Sequence, residues 1–250
     1  MTVTAEPLGS ARVVRWEQAG KLNAWTRETI EAIADAIEQA GADETVRCIV
    51  VRGAGENFSA GDDLHAALEA SAADWAATIA AFTRVSRVAL DAPVPVLAAI
   101  DGVCIGGALE FAASCDLRIA TDRARFATPE VAIGLVATNA GTLLLPEVLG
   151  ETAARELLLT GALRDAQWAL RNRFVADVVA PGALDEHVAA WAAGFDATSR
   201  TAVARTKAML NARLGDLLPA AMEREERACV ELFDSPDAQA ALRAFAARGR

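Results

Sequence analysis

The stretch that most constrains the fold is a glycine-broken strand end near the middle of the chain. Residues 94–116 (VPVLAAIDGVCIGGALEFAASCD) begin as an apolar, strand-like run. Gly106 and Gly107 predict a turn without side chains, and residues 108–114 predict a short helix after it. The first N–H groups of a helix lack intrahelical partners, and Glu110 shares a face with Gly107. A bare donor beside a carboxylate suits a reaction that builds negative charge on a carbonyl oxygen. The plainer interpretation is a glycine turn in which Glu110 favours the helix dipole.

Strand-like and helical segments alternate along the first three quarters of the chain. Runs of β-branched residues predict strands, and apolar residues at i, i+3, i+4 and i+7 predict amphipathic helices. The predicted strands are residues 11–16, 45–52, 94–100, 116–120, 124–127 and 174–179, and a turn is predicted at 129–134. The predicted helices are residues 26–38, 71–90, 108–114, 139–149, 151–160, 165–172, 183–193, 199–213, 217–233 and 236–247. This order predicts an α/β core at residues 1–190, which carries the site, and a helical region at residues 191–250.

A second strand end is broken by glycine at residues 58–64 (FSAGDDL). It offers a backbone N–H at Ala60 or Gly61, the same type of group as in the first turn. Two such donors from separate loops would form an oxyanion hole, and losing one typically costs about 2.7–4 kcal/mol of transition-state stabilisation. Asp63 is interpreted as a structural carboxylate that caps the following helix. Asp62 is either a solvated loop charge or a pocket residue.

A second candidate carboxylate is Glu130, which follows Pro129 directly. One interpretation makes Glu130 an acid at a helix start. The other pairs it with Glu110 across a substrate. Two carboxylates can do acid and base work on one substrate when burial or neighbouring groups separate their pKa values.

Charge, hydropathy and scattered cysteines argue against several other classes of protein. The net charge of −10 disfavours nucleic-acid binding, although a few local basic residues can still hold a phosphate. No apolar run of about 18 residues lacks charges, so we expect no membrane span. The first residues lack a basic region followed by an apolar stretch, so we expect no signal peptide. No Cys-x-x-Cys pair occurs, and His65 and His187 are far apart in sequence, which predicts no metal site and no Ser-His-Asp triad. Reduced, buried thiols predict a cytoplasmic protein.

Seven segments together resemble one known family. Those that carry the candidate chemistry are FSAGDDL (58–64), AAIDGVCIGGALEFAASCDLRIAT (98–121) and ARFATPEVAIGL (124–135). KLNA (21–24), ELLLTG (156–161), TKAMLN (206–211) and SPDAQAALRAF (235–245) extend the similarity over nearly the whole chain. The chain resembles the enoyl-CoA hydratase/isomerase family, the crotonase superfamily.

The resemblance implies an α/β fold in which ββα repeats wind into a spiral and an α-helical C-terminal region packs as a trimer or a dimer of trimers. It implies an acyl-CoA thioester substrate, with coenzyme A as part of that substrate and no separate cofactor. The N–H groups of Ala60 and Gly107 would bind the thioester oxygen. Glu110 and Glu130 align with the two glutamates with which hydratases add water across a 2,3 double bond. Further substrate- or coenzyme-A-binding positions are implied at Lys21, Leu22, Ser59, Gly61, Asp62, Asp63, Leu64, Gly106 and Thr138.

The segment after Glu130 departs from the hydratase pattern. Hydratases usually carry Pro-Gly-x-Gly-Gly-Thr there, whereas residues 136–142 read VATNAGT. Thr138 stands where a family glycine amide helps to place the water, and a β-branched residue disfavours the positive φ that is open to glycine. Thr138 or Asn139 could instead project a polar group into the pocket. The amphipathic faces predict a pocket wall of Leu64, Trp75, Phe82 and Val136.

Three functions fit these observations. A 2-enoyl-CoA hydratase is favoured because both glutamates and both hole positions are intact. The departure at residues 136–142 favours a second group of the same fold: an isomerase that shifts a double bond, an acyl-CoA hydrolase or a decarboxylase. A non-catalytic CoA-binding accessory subunit is the third, and the intact chemistry-bearing groups argue against it.

Overall fold

A six-stranded, mostly parallel sheet forms the main layer of the protein. The computed structural model describes residues 2–18 and 20–248. The sheet begins with an antiparallel pair and continues with parallel neighbours. In spatial order its strands are β1 (Thr2–Leu8), β2 (Ala11–Glu17), β3 (Cys48–Gly53), β4 (Val96–Ile100), β6 (Leu117–Thr121) and β9 (Asp177–Val179).

A smaller sheet of three strands lies beside the main sheet. Its members are β5 (Val103–Ile105), β7 (Arg125–Ala127) and β8 (Arg164–Asp165). β4 and β6 each pass directly into a strand of this smaller sheet, and β5 then leads into a helix. A parallel bridge between Ser59 and Cys104 brings the loop after β3 against the same layer. The chain therefore winds in successive ββα turns, which is the predicted architecture.

Eleven α-helices flank the sheets in the described part of the chain. They are α1 (Arg27–Ala42), α2 (Leu64–Glu69), α3 (Ala72–Asp91), α4 (Gly107–Ser114), α5 (Gly141–Leu149), α6 (Glu151–Thr160), α7 (Ala166–Arg171), α8 (Leu184–Ala193), α9 (Arg200–Ala212), α10 (Leu217–Phe233) and α11 (Pro236–Arg248). Two short 3₁₀ helices span Pro129–Ile133 and Pro181–Ala183. None of the described helices is both long enough and apolar enough to cross a bilayer.

The predicted helices and strands are observed, with end points shifted by a few residues. No bounds were predicted for β1, β5, β8 and α2, although Asp63 was expected to cap the helix that follows it. β1 is mostly exposed, so it lacks the apolar signal of a buried strand, and the other three elements are only two to six residues long. The turn predicted at residues 129–134 is a 3₁₀ helix ending in a left-handed Gly134.

An aromatic cluster lies where the glycine-broken loops meet. The Trp16 ring meets those of Trp25 and Phe58 edge-on, with centroids 5.2 and 4.9 Å apart. The Trp16 indole N–H donates to the Phe58 carbonyl at 2.8 Å. Phe82 on α3 and Phe111 on α4 both pack on Trp25. Because edge-to-face aromatic pairs are directional, this cluster fixes α3, α4 and the start of loop 58–64 relative to one another.

The C-terminal helices are tied to the core by buried charges as well as by apolar contacts. Lys207 on α9 is only 6% exposed, and its ammonium donates to Asp116 at 2.7 Å and to the carbonyls of Ala89 and Val94. Leu184 and Val188 of α8 belong to the apolar layer on one face of the main sheet. The predicted division between residues 190 and 191 falls inside α8 and stays a prediction.

We predict that Lys207→Met lowers the free energy of unfolding by about 3 kcal/mol, because two buried carbonyls and a carboxylate lose their charged donor. Urea unfolding measures this difference. Arg205→Met, an exposed change on the same helix, is the control and should alter stability by less than about 0.5 kcal/mol. Equal losses of stability in the two variants would contradict a stabilising role for the buried Lys207 ammonium.

Candidate active site

The first component of the site is the turn at Gly106 and Gly107. Gly106 has φ +62° and precedes α4, and its N–H donates to the Ala127 carbonyl at 2.9 Å. The Gly107 N–H has no hydrogen-bond acceptor among the described residues. A Cβ added at Gly107 would lie 2.5 Å from a ring atom of Phe82, so a larger residue does not fit. The turn therefore presents one unpartnered donor at the start of a helix, as the sequence predicts.

The second donor lies in loop 58–64, but not at the predicted residue. The Ala60 N–H donates to the Leu22 carbonyl at 3.0 Å, so it is not available to a ligand. The Gly61 N–H is also occupied, since it donates to Ser59 Oγ at 3.0 Å. Within the described chain the Asp62 N–H has no acceptor. The unpartnered donor of this loop is thus Asp62 rather than Ala60.

The two unpartnered donors are brought together by the close approach of their loops. Gly61 has φ +81°, and a Cβ added there would lie 2.6 Å from the Ile105 carbonyl and 3.5 Å from the Gly107 nitrogen. Only glycine allows such an approach of two backbones. Asp62 and Gly107 both line one cavity, and this arrangement can bind a carbonyl oxygen that gains negative charge.

The cavity has a volume of about 80 Å³ and a mostly apolar wall. The four predicted wall residues, Leu64, Trp75, Phe82 and Val136, all line it. Of the predicted site residues, the cavity is also lined by Ala60, Asp62, Gly106, Gly107, Glu130 and Thr138. The remaining ones, Lys21, Leu22, Ser59, Gly61, Asp63 and Glu110, are not among its lining residues.

Two of those remaining residues stabilise the loop that carries the second donor. The Asp63 carboxylate accepts from the His65 N–H at 3.1 Å and so caps α2, as predicted. Lys21 pairs with Asp63 at 2.7 Å. Burial acts to raise the pKa of Asp63, but the hydrogen bond and charge of Lys21 outweigh it and hold that pKa below its ordinary value. These contacts support the loop rather than the cavity.

Glu130 is the carboxylate that faces the cavity. It lies in the 3₁₀ helix Pro129–Ile133, and its Oε1 is 2.9 Å from the position that a Cβ at Gly106 would take. Its Oε2 is buried without a hydrogen-bond partner among the described residues. Burial raises the pKa of Glu130 to about 7. Such a carboxyl can accept or give a proton near neutral pH.

Glu110 is fully buried on α4 and is held by Thr138. The Thr138 N–H lies 3.1 Å from each carboxylate oxygen, and the Thr138 hydroxyl donates to Oε2 at 2.9 Å. Burial raises the pKa of Glu110, and the charges of Glu130 and Glu225 raise it further. Thr138 lines the cavity, whereas Glu110 does not. The polar group that Thr138 was expected to project is its hydroxyl, and this hydroxyl binds Glu110.

The two residues after Thr138 have an unusual backbone conformation. Asn139 and Ala140 have φ +59° and +60°. The side-chain amide of Asn139 donates to the Gly107 carbonyl at 3.2 Å. The positive φ values therefore fall just after the β-branched residue, and Thr138 itself avoids them.

The Asp62 side chain is a pocket residue rather than a solvated loop charge. Its Oδ2 is buried and has no hydrogen-bond partner in the described chain. Burial raises the pKa of Asp62 to about 7, with a smaller contribution from the charge of Asp63. The cavity wall therefore holds a second carboxyl that is readily protonated.

Sequence reasoning missed two residues of α10 that lie beside the glutamates. Cys229 lines the cavity, and Glu225 is buried against α5. Glu225 occurs on the apolar stripe Ala221, Met222, Cys229 and Phe233 of that helix. A carboxylate on a buried stripe is rare unless it has partners, and this was the available signal.

Known proteins with similar sequences belong to one family of enzymes. Residues 10–250 match the enoyl-CoA hydratase/isomerase family. A probable enoyl-CoA hydratase of Mycobacterium tuberculosis is 34% identical over 218 residues, which are 84% of this chain and 81% of that protein. The chain belongs to this family. A crotonyl-CoA hydratase of Syntrophomonas wolfei is 32% identical over 225 residues, 90% of this chain and 86% of that protein.

The crotonase-like fold is confirmed by the same comparison. The crystal structure of an enoyl-CoA hydratase/isomerase from Xanthobacter autotrophicus superposes with a TM-score of 0.88 at 32% identity, covering 98% of this chain and 96% of that one. Within this fold, the two unpartnered N–H groups and the two glutamates of this family member lie around one cavity: Asp62, Gly107 and Glu130 line it, and Glu110 is bonded to Thr138 of its wall.

We predict that stability falls as pH rises from about 4.5 to 7. The folded chain keeps a proton on Glu130, whose pKa is about 7, after the unfolded chain has lost it near the ordinary value of 4.5. The slope from one such group reaches at most about 1.4 kcal/mol per pH unit. Glu130→Gln should make the dependence shallower, and urea unfolding at several pH values measures it.

The control for this prediction is Glu231→Gln, which removes an exposed carboxylate from α10. It should leave the dependence unchanged. A slope that is the same in Glu130→Gln and in the parent protein would show that Glu130 titrates normally.

Proposed function

We propose that this protein is an enoyl-CoA hydratase that adds water across the 2,3 double bond of a 2-enoyl-CoA thioester. The observation that carries the proposal is one cavity lined by Glu130 and by the two residues with unpartnered N–H groups, Asp62 and Gly107, with the buried Glu110 bonded to Thr138 of the same cavity wall. Two carboxyl groups can supply an acid and a base to one substrate when their surroundings separate their pKa values. The relatives named as hydratases support the assignment.

In the proposed reaction the thioester oxygen accepts hydrogen bonds from the N–H groups of Asp62 and Gly107. Glu110 is assigned as the base: burial raises its pKa, and the three contacts from Thr138 oppose that effect by stabilising its ionised form. It removes a proton from water while the water oxygen bonds to C3. The π electrons move onto the thioester oxygen as an enolate, which the two N–H groups stabilise.

Glu130 is the acid that completes the addition. Glu130 lines the cavity, one of its oxygens has no hydrogen-bond partner in the described chain, and its pKa of about 7 keeps much of it protonated near neutral pH. It donates its proton to C2 as the enolate collapses, which gives the 3-hydroxyacyl thioester. The net change is one water added, and the proton taken up by Glu110 returns to Glu130 through solvent.

We further propose that the enzyme works in the cytoplasm as a homotrimer or a dimer of trimers, with coenzyme A entering only as part of the substrate. Large apolar side chains of α9 and α10 support an oligomer, since Met209, Leu210 and Leu217 are each more than half exposed. Clustered exposed apolar residues are typical of protein interfaces. Sedimentation analysis of the purified protein tests the subunit number.

A second candidate is an isomerase that moves a 3,4 double bond to the 2,3 position. It is favoured by one observation: Thr138 engages both oxygens of Glu110, and Glu110 is not among the cavity-lining residues. An isomerase needs one carboxylate, which takes a proton from C2 and returns it to C4. Glu130 alone meets that need. A hydrolase or decarboxylase of the same fold would also use the enolate-binding N–H groups.

We predict that Glu110→Gln and Glu130→Gln each reduce hydration of crotonyl-CoA by about 10²–10⁴-fold, because each removes a group that transfers a proton. Loss of the enoyl-thioester absorbance, with a mass gain of one water, measures the reaction. Glu231→Gln is the matched control and should keep full turnover.

The same variants separate the two candidates. An isomerase would convert a 3-enoyl-CoA, would lose activity strongly in Glu130→Gln and would lose little in Glu110→Gln. Full hydration by both folded glutamine variants would refute the hydratase proposal.

A further inference from the structure

A third carboxylate, Glu225, lies buried next to the two glutamates, and the proposed reaction does not use it. Glu225 belongs to α10 and is 5% exposed. Its Oε2 has no hydrogen-bond partner among the described residues. Burial raises the pKa of Glu225, although its hydrogen bonds oppose that effect. A buried carboxylate without a role is costly, so its contacts need an explanation.

The contacts of Glu225 are made with the first turn of α5. Its Oε1 accepts from the Thr142 N–H at 2.8 Å and from the Thr142 hydroxyl at 2.5 Å. The neighbouring Gly141 N–H donates instead to the Thr138 carbonyl at 2.6 Å. A side chain from α10 therefore satisfies the Thr142 N–H, one of the groups at the start of α5 that lack an intrahelical partner.

The same end of α5 also holds Glu110. Thr138 donates to Glu110 through both its N–H and its hydroxyl. A Cβ added at Gly141 would lie 3.2 Å from Glu110 Cγ and 3.3 Å from Cδ, so the backbone of α5 packs directly on this side chain. Glu110 and Glu225 thus share one helix N-terminus, and the charge of Glu225 is among the causes that raise the pKa of Glu110.

The backbone between these two contacts is strained. Asn139 and Ala140 both lie in the left-handed region, with φ +59° and +60°. Residues other than glycine persist there only when their surroundings hold them. The Asn139 side-chain amide donates to the Gly107 carbonyl, and the Thr142 N–H donates to Glu225, so both sides of this segment are held.

We propose that Glu225 is a positioning residue: by accepting from the N–H and the hydroxyl of Thr142 it holds the first turn of α5, so that Thr138 orients Glu110, and it places a second buried carboxylate at the turn that packs on Glu110. Its catalytic consequence rests on the proposed function, but the charge coupling does not. The other titratable groups near Glu110 are Glu130 on the 3₁₀ helix and Cys229 on α10. Burial raises the pKa of the Cys229 thiol to about 12, so that thiol stays neutral.

The test is a direct titration of Glu110 in protein labelled with ¹³C at the glutamate carboxyl carbon. The Glu110 signal is assigned by its absence in Glu110→Gln. In Glu225→Gln the glutamine oxygen can still accept from Thr142, but the charge is gone. We expect the Glu110 midpoint to move down by roughly one pH unit, since a nearby negative charge disfavours ionisation. Glu231→Gln removes an exposed charge from the same helix and should leave the midpoint in place.

Turnover is the second readout. The acidic limb of kcat for crotonyl-CoA should move down with the midpoint, because Glu110 acts as the base, while KM changes little. A merely structural role would lower thermal stability in Glu225→Gln and leave both the midpoint and the limb unchanged, which would overturn the inference. Should Glu225→Gln fail to fold, Thr142→Val keeps the carboxylate and removes one donor to it. It should then lower the Glu110 midpoint by a smaller amount, because Glu225 is more often protonated.

The two proposals fail in different ways. A shifted Glu110 midpoint in protein that turns over no enoyl thioester would refute the proposed function and leave the charge coupling in place. Hydration with an unshifted midpoint would refute the role of Glu225 and leave the hydratase in place.

Discussion

The burial of Glu110 against the start of α5 is the interaction on which the rest of the site depends. A fully buried carboxylate is stable only when donors surround it, and here they come from Thr138. The start of α5 also binds Glu225 of α10, because the Thr142 N–H donates to the Glu225 carboxylate. The donors to Glu110 come from Thr138 and those to Glu225 come from Thr142, so two acidic groups are bonded to positions four residues apart at the start of α5.

The donors for a developing oxyanion depend on a separate constraint, the close contact of two backbones. Gly61 approaches the Ile105 carbonyl and Gly107 packs against the Phe82 ring at distances that no Cβ tolerates. The aromatic cluster around Trp16 and Trp25 anchors the elements on either side. Rigid loops of this kind can stabilise charge without first reorganising, which is the source of most catalytic power in oxyanion holes.

The C-terminal helices contribute to the site as well as to packing. α10 supplies Glu225 and Cys229 next to the glutamates, and Lys207 on α9 bridges Asp116 and the carbonyls of residues 89 and 94. The spiral core and the helical region are therefore not independent. α10 contacts the cavity directly through Cys229 and contacts the first turn of α5 through Glu225.

The amino-acid sequence by itself determined the order of the long elements, the two glycine-broken loops, both candidate glutamates and the four-residue apolar wall. Each of these is a local pattern: a periodicity, a glycine where a turn requires it, or an acid next to such a turn. Residue Thr138 was likewise identified as a departure from the family pattern before its partner was known.

Only the tertiary structure decided which groups are free to act. It showed that the Ala60 N–H is taken by the Leu22 carbonyl, which leaves Asp62 as the donor. It also placed Glu225 beside Glu110, although 115 positions separate them in the chain. Whether a donor is occupied, and which buried charges are neighbours, depends on contacts between distant segments, and those contacts leave no local signal in sequence.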